Sequence, residues 1–148
     1  MSDIVDKATR SRMMAGIKGK DTKPELQIRH ALHKRGFRYR LHVKGLPGRP
    51  DLVFPKYRAV VQVHGCFWHK HECHMFKWPK TRIDFWQEKI NANAARDRQS
   101  DCRLAELGWR VLTVWECALK GKTRKPHDVL INEIELWLSL GEPTRSIP

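Results

Sequence analysis

Cys66, His71 and Cys73 fall within one short stretch of a segment, Gly65 to Lys80, that has neither a helical nor a strand period. Without apolar periodicity to order it, such a segment is expected to be held by a ligand rather than by packing. Zinc prefers tetrahedral ligation by thiolate and imidazole, and Cys66-x4-His71-x-Cys73 supplies three such donors. Cys117 follows the last strand-like run, where a fold can return it to the loop. The spacing departs from the common C-x2-C pair, and His64, His69 and His74 compete with His71 for the fourth ligand position. His71 is preferred because one residue separates it from Cys73. The alternative is a set of buried free cysteines with surface histidines. Cys102 lies inside a helical run, where core-like surroundings are expected, and is left out of the site.

Lys and Arg number 29 against 16 Asp and Glu, a formal charge of +13 that exceeds what solubility requires. A polyanion is the expected partner. No apolar run approaches the roughly 18 residues of a spanning helix, and the N-terminus lacks an apolar signal core. The chain is therefore expected to be soluble and cytoplasmic, with no membrane partner. In that compartment four cysteines favour metal ligation over disulfides. Six Trp, some flanked by basic residues as in Lys77-Trp78-Pro79-Lys80, add stacking on bases to the usual role in cores.

The 148 residues suit one domain. Residues 1–20 are basic and punctuated by glycine, so they read as an arm with a short helix. Residues 21–140 form the expected domain. Thr22-Lys23-Pro24-Glu25 has a capping-box pattern opening a helix to about Arg35, which Gly36 stops. The alternating Phe37 to Val43 suits a half-buried strand. Asp51 to Phe54 and Ala59 to His64 read as two further strands joined by a tight turn. Asp84 and Gln87 can open a long helix that Gly108 ends. Arg110 to Trp115 is a final strand, and Val129, Leu130, Ile134, Trp137 and Leu138 give a last helix its apolar face. Residues 141–148 read as a frayed tail. The class is α/β, a mixed sheet flanked by helices.

Phosphodiester cleavage needs a hard divalent cation, an activated water and a proton for the leaving oxygen. Asp51, at a strand start, can ligate magnesium, and the backbone carbonyl of Val63 can add a second ligand. His64 or His69 can move protons near neutral pH. Positions 62 and 64 share a strand face, as in the (E/D/Q)-x-K pair of metal-dependent nucleases, although His64 stands where Lys is usual. Asp51 can equally be a turn carboxylate paired with Arg49 or Arg58. Capping accounts for Glu25. Asp97, between Arg96 and Arg98, suits a solvated helix, though a helix crossing the sheet can present it to His69 as an orienting partner.

Asp6-Lys7-Ala8-Thr9-Arg10-Ser11, Leu46-Pro47-Gly48-Arg49-Pro50-Asp51, His64-Gly65-Cys66-Phe67-Trp68-His69, Gly108-Trp109-Arg110-Val111-Leu112 and Val114-Trp115-Glu116-Cys117, taken together, resemble the very short patch repair (Vsr) endonucleases. The likeness runs through residues 5–140. It implies a restriction-endonuclease-like fold of the PD-(D/E)xK type with a structural zinc. It also implies nicking of one DNA strand 5′ of the T in a T·G mismatch left by 5-methylcytosine deamination. By matching position, Asp51 and position 63 would hold magnesium and His69 would be the general base. Glu25, His64 and Asp97 would support them, and Cys66, His71, Cys73 and Cys117 would hold zinc. Phe67 and Trp68 would wedge into the base stack, with Met14 entering from the other groove. Packing of Phe67 and Trp68 into the core is the plainer alternative. Val63 replaces a Thr frequent in the family, which leaves a carbonyl ligand intact. A monomer is expected, associated in function with a C5-cytosine DNA methyltransferase. The competing readings are a restriction-type nuclease with another DNA target and a non-catalytic, zinc-stabilised DNA-binding module.

Overall fold

The computed structural model describes residues 22–148. The expected arm over residues 1–20, with Met14, lies outside the described residues. In chain order the elements are α1 (Lys23–Lys34), β1 (Arg40–Leu41), β2 (Leu52–Phe54), β3 (Ala59–His64), α2 (Ile83–Glu106), β4 (Arg110–Trp115), α3 (His127–Leu140) and β5 (Arg145–Ile147). The strands make one sheet in the order β1-β2-β3-β4-β5. The first three run antiparallel, then β4 lies parallel to β3 and β5 parallel to β4.

Local chemistry explains most of these elements. The Glu25 amide donates to the Thr22 hydroxyl at 3.4 Å, capping α1, and Ile28 and Leu32 recur on its buried face. A turn at Pro55–Tyr57 closes the β2–β3 hairpin, with Arg58 in the left-handed region. Parallel pairing of β3 with β4 needs a long crossover, which α2 supplies. That helix begins at Ile83, one residue before the expected Asp84, and no side chain caps it. Gly108, at φ +88°, lets the chain reverse into β4.

Both faces of the sheet are covered. On one, α1 and α3 pack Ile28, Leu32, Ile134 and Trp137 against Phe54 and Val61. On the other, Leu104 of α2 meets Val53, Val60 and Val111. Because strand side chains alternate, Gln62 and His64 follow Val60 onto the α2 side of β3. Burial on both sides is why β3 opens as a continuous apolar run rather than alternating.

Four expectations fail here. The closing residues are no tail: Arg145–Ile147 is β5, and Ile147 is buried. The free edge of β4 supplies its hydrogen bonds, and the approach is fixed where Trp137 Nε1 donates to the Pro143 carbonyl at 2.8 Å. Arg110 adds a bond to the Glu142 carbonyl at 2.8 Å. The strand expected over residues 37–43 shrinks to Arg40–Leu41, because His42 turns to φ +45° and breaks the extended backbone. Cys102 is exposed rather than core-like, since it sits on the outer side of α2. Val129 is likewise exposed, near the start of α3. No helix among the described residues is long and apolar enough to cross a membrane.

Candidate active site and metal-ligand clusters

The loop after β3 doubles back on itself. The His69 amide donates to the Gly65 carbonyl at 3.2 Å and the His71 amide to the Cys66 carbonyl at 2.9 Å. This folding aims His71 Nδ1 at two sulfurs, 3.6 Å from Cys66 Sγ and 3.5 Å from Cys117 Sγ. Cys73 completes a group whose four ligand atoms all lie within 4.8 Å of one another. Parallel pairing ends β3 and β4 side by side, His64 opposite Trp115, and so delivers Cys117 to the loop. The His71 ring stacks on Trp115 at 4.1 Å, which fixes its orientation. His71 is thus the histidine the fold selects over His64, His69 and His74. Burial pushes the Cys66 and Cys117 thiols up and the His71 imidazole down, which favours the neutral form of these three side chains.

Asp51 stands at the head of β2. The Val63 amide donates to its Oδ2 at 2.7 Å, so the hairpin itself orients the carboxylate. Gly48 makes the approach possible: it sits at φ +75°, and a Cβ there would fall 2.9 Å from Ser100 Cβ on α2. Burial pushes Asp51 up to about 7 against the pull of the Val63 amide, and the Glu25 carboxylate adds to the rise. Glu25 is buried at the first turn of α1. Its backbone takes the Thr22 cap, while its side chain meets Arg29 and His42, each at 3.0 Å. Capping, the role its residue pattern taken alone suggests, therefore does not account for all of Glu25. Nor does Arg58 pair with Asp51; it donates to the Leu107 carbonyl and lies over Trp109.

Across the site, α2 presents Asp97 to His69, with Oδ2 at 2.6 Å from Nδ1. That contact assigns the proton to Nδ1 and leaves Nε2 as the free acceptor. The His64 ring stacks on His69 at 3.8 Å, nearly parallel. Burial, with His69 beside it, holds His64 down to about 3, and it is neutral at physiological pH. Its Nδ1 is one of two buried side-chain polar atoms without a hydrogen-bond partner among the described residues, the other being Asp101 Oδ1.

One cavity of about 580 Å³ is lined by Asp51, Val63, His64, His69 and Asp97, together with His42. Glu25 reaches it through His42. A second, of about 830 Å³, is walled by Phe67, Trp68, Lys89 and Asn93. The two aromatics pack on each other and on Trp86 in this wall, away from both core clusters. Sequence reasoning missed His42, whose only signal is its residue type in a strand-like run. It also passed over Asp101 and Thr113, which share with Gln62 a hydrogen-bonded path beneath α2: Thr113 Oγ1 donates to Gln62 at 3.4 Å, and Gln62 bonds Asp101, whose carboxyl burial raises.

A basic α/β domain whose sheet gathers carboxylates and imidazoles into one cavity carries the groups that hydrolysis of an anionic substrate can use. The comparisons narrow this. The family described as DNA mismatch endonuclease Vsr matches residues 2–75, a span that holds Glu25, Asp51, His64, His69, His71 and both loop cysteines. Over 138 residues, 93% of this chain and 88% of the relative, it is 49% identical to the DNA mismatch endonuclease Vsr of Escherichia coli strain K12. It is also 49% identical over 119 residues, 80% of the chain, to the Type II nicking enzyme V.XorIIP of Xanthomonas oryzae pv. oryzae, covering 88% of that protein. The Type II nicking enzyme V.NmeAIP of Neisseria meningitidis is 44% identical over 137 residues, 91% of this chain and 98% of its own. The chain belongs to the DNA mismatch endonuclease Vsr family.

Proposed function

We propose that this protein is a magnesium-dependent endonuclease that nicks one strand of duplex DNA 5′ of the T in a T·G mismatch, starting very short patch repair of deaminated 5-methylcytosine. The observation that carries the reading is the single cavity into which α2 and the β2–β3 hairpin bring Asp51, Val63, His64, His69 and Asp97. The name of the Escherichia coli relative supports the mismatch. The sheet with its flanking helices is then of the restriction-endonuclease-like type. The protein works as a monomer and in functional association with a C5-cytosine DNA methyltransferase.

Asp51 and the Val63 carbonyl are the residues that would hold magnesium, which supplies Lewis-acid stabilisation of charge on the phosphate. A buried carboxylate, Glu25, and a half-buried one, Asp51, beside an imidazole form a donor set suited to a divalent cation. His69 takes a proton from the attacking water at Nε2. Asp97 holds its tautomer and stabilises the imidazolium that forms. His64, neutral and stacked on His69, keeps that ring in plane with the cavity.

Cys66, His71, Cys73 and Cys117 suit zinc. In a tetrahedron with bonds of about 2.3 Å to sulfur and about 2.0–2.1 Å to nitrogen, sulfur and nitrogen lie about 3.6 Å apart. The two sulfur-to-nitrogen distances here, 3.5 and 3.6 Å, match that edge. Through these four residues, bound zinc would tie the Phe67 to His69 segment to the end of β4. Phe67 and Trp68 are the wedge for the mismatched step, where unstacking costs less, and Met14 on the arm enters from the opposite groove.

A nicking assay over paired T·G and T·A duplexes with varied flanks tests the reading. The expected result is magnesium-dependent cleavage of one strand, confined to T·G duplexes. Cleavage of both strands or of matched duplexes would replace it with a restriction-type activity, and binding without cleavage would leave a DNA-binding module.

A further inference from the structure

We propose that His42 is a third side-chain donor at the Asp51 cation site, which it converts from an all-oxygen site into a carboxylate and imidazole site favouring a divalent transition-metal ion over Mg2+. The proposal rests on Asp51 being a metal ligand, as argued above.

The ligand atoms of Glu25, His42 and Asp51 all lie within 4.8 Å of one another. His42 Nε2 is 3.0 Å from Glu25 Oε2 and 3.8 Å from Asp51 Oδ1. In an octahedron with bonds of about 2.1 Å, cis donors are about 3.0 Å apart and trans donors about 4.2 Å. The 3.0 Å separation is that of a cis pair, and the 3.8 Å one lies about 0.4 Å short of a trans pair, so a small shift of the Asp51 carboxylate lets one ion touch all three groups. The arrangement leaves Asp51 Oδ1 facing the imidazole, because Oδ2 is taken by the Val63 amide.

The backbone is shaped to place this ring. His42 sits at φ +45°, in the left-handed region that few residues other than Gly adopt, His being among those found there more often. Its amide donates to the Asp51 carbonyl at 3.2 Å, so the residue is tied directly to the carboxylate it faces. Unfavourable backbone conformations of this kind persist where surrounding structure enforces them, commonly at ligand clamps.

Arg29 approaches the same Glu25 oxygen from α1 at 3.0 Å. Its charge opposes a cation, which places more of the binding on Asp51 and His42 and makes the nitrogen donor matter more. Imidazole is a borderline ligand that transition metals accept readily, whereas Mg2+ strongly prefers oxygen. An imidazole that merely bridged the carboxylates by a hydrogen bond would raise no such preference.

The experiment uses the DNA-free, zinc-loaded protein, with Mn2+ and Mg2+ as separate probes. Mn2+ binding is read by electron paramagnetic resonance, ligand nitrogen by electron spin echo modulation, and Mg2+ binding by calorimetry. His42→Asn is the informative variant, because Asn tolerates the left-handed backbone and removes the ring; His42→Gln is the second, keeping a hydrogen-bond donor of similar reach. Loss of the nitrogen coupling in both variants, with Mn2+ affinity falling about tenfold or more and Mg2+ affinity by less than about threefold, is the expected result. Persistent nitrogen coupling, or equal losses for the two ions, would overturn it. Wild-type affinity in His42→Gln would also overturn it, making His42 a positioning residue. Asp51→Ala separates this inference from the one beneath it: if that variant binds both ions like wild type, the Asp51 assignment itself fails.

Discussion

The two clusters of this protein sit at the ends of neighbouring strands yet are built in opposite ways. Three of the four residues in the cysteine-rich group come from one short loop, and the strand β4 delivers the fourth. The acidic site draws on α1, the turn after β1, the head of β2, the end of β3, the loop beyond it and α2. The first shows in the spacing of its ligands within one loop. The second exists only once the fold has formed. Trp115 touches both, stacking on His71 at 4.1 Å and meeting His64 edge-on at 5.3 Å, so the two groups are packed against one residue without sharing a ligand.

If this division holds, variants in the first cluster lose structure and variants in the second lose chemistry. Cys117→Ser is expected to have the largest effect: loss of about one equivalent of zinc and of at least about 4 kcal/mol of stability, since metal loss belongs to the few mechanisms that cost so much. Metal analysis and melting curves check it, and a metal-free wild type that melts normally would break the comparison. Asp97→Asn comes next. Single-turnover nicking should fall about 10²–10⁴-fold, the usual range for a disabled general base, with zinc content and melting temperature retained. Trp68→Ala is smaller, costing about 1–3 kcal/mol of binding to T·G duplex, the range for one lost stacking contact, with little change on matched DNA. Equal losses on both duplexes would return Trp68 to a packing role. Cys102→Ser, on the exposed side of α2, should change stability by no more than about 0.5 kcal/mol.

What the sequence made legible follows the same line. α1, the hairpin strands, α2, β4 and α3 announce themselves through period and punctuation. β5 does not, because three residues carry no period and its pairing is dictated by the open edge of β4. Glu25 reads as a cap until the fold brings His42 to its side chain, a contact between residues far apart in a chain that gives no hint of their meeting. Asp97, between two arginines, reads as a solvated helix residue, and its 2.6 Å contact with His69 exists only because α2 crosses the sheet. Spacing identifies groups whose ligands share a loop; it is silent on groups that topology assembles.

Asp51→Ala, assayed for T·G nicking, duplex binding, zinc content and melting temperature on one preparation, tests the central claim most directly. Nicking should vanish while zinc, folding and DNA binding stay at wild-type values. Nicking at the wild-type rate would contradict Asp51 as the reacting centre, and loss of zinc or of folding along with activity would contradict the separation of the two clusters.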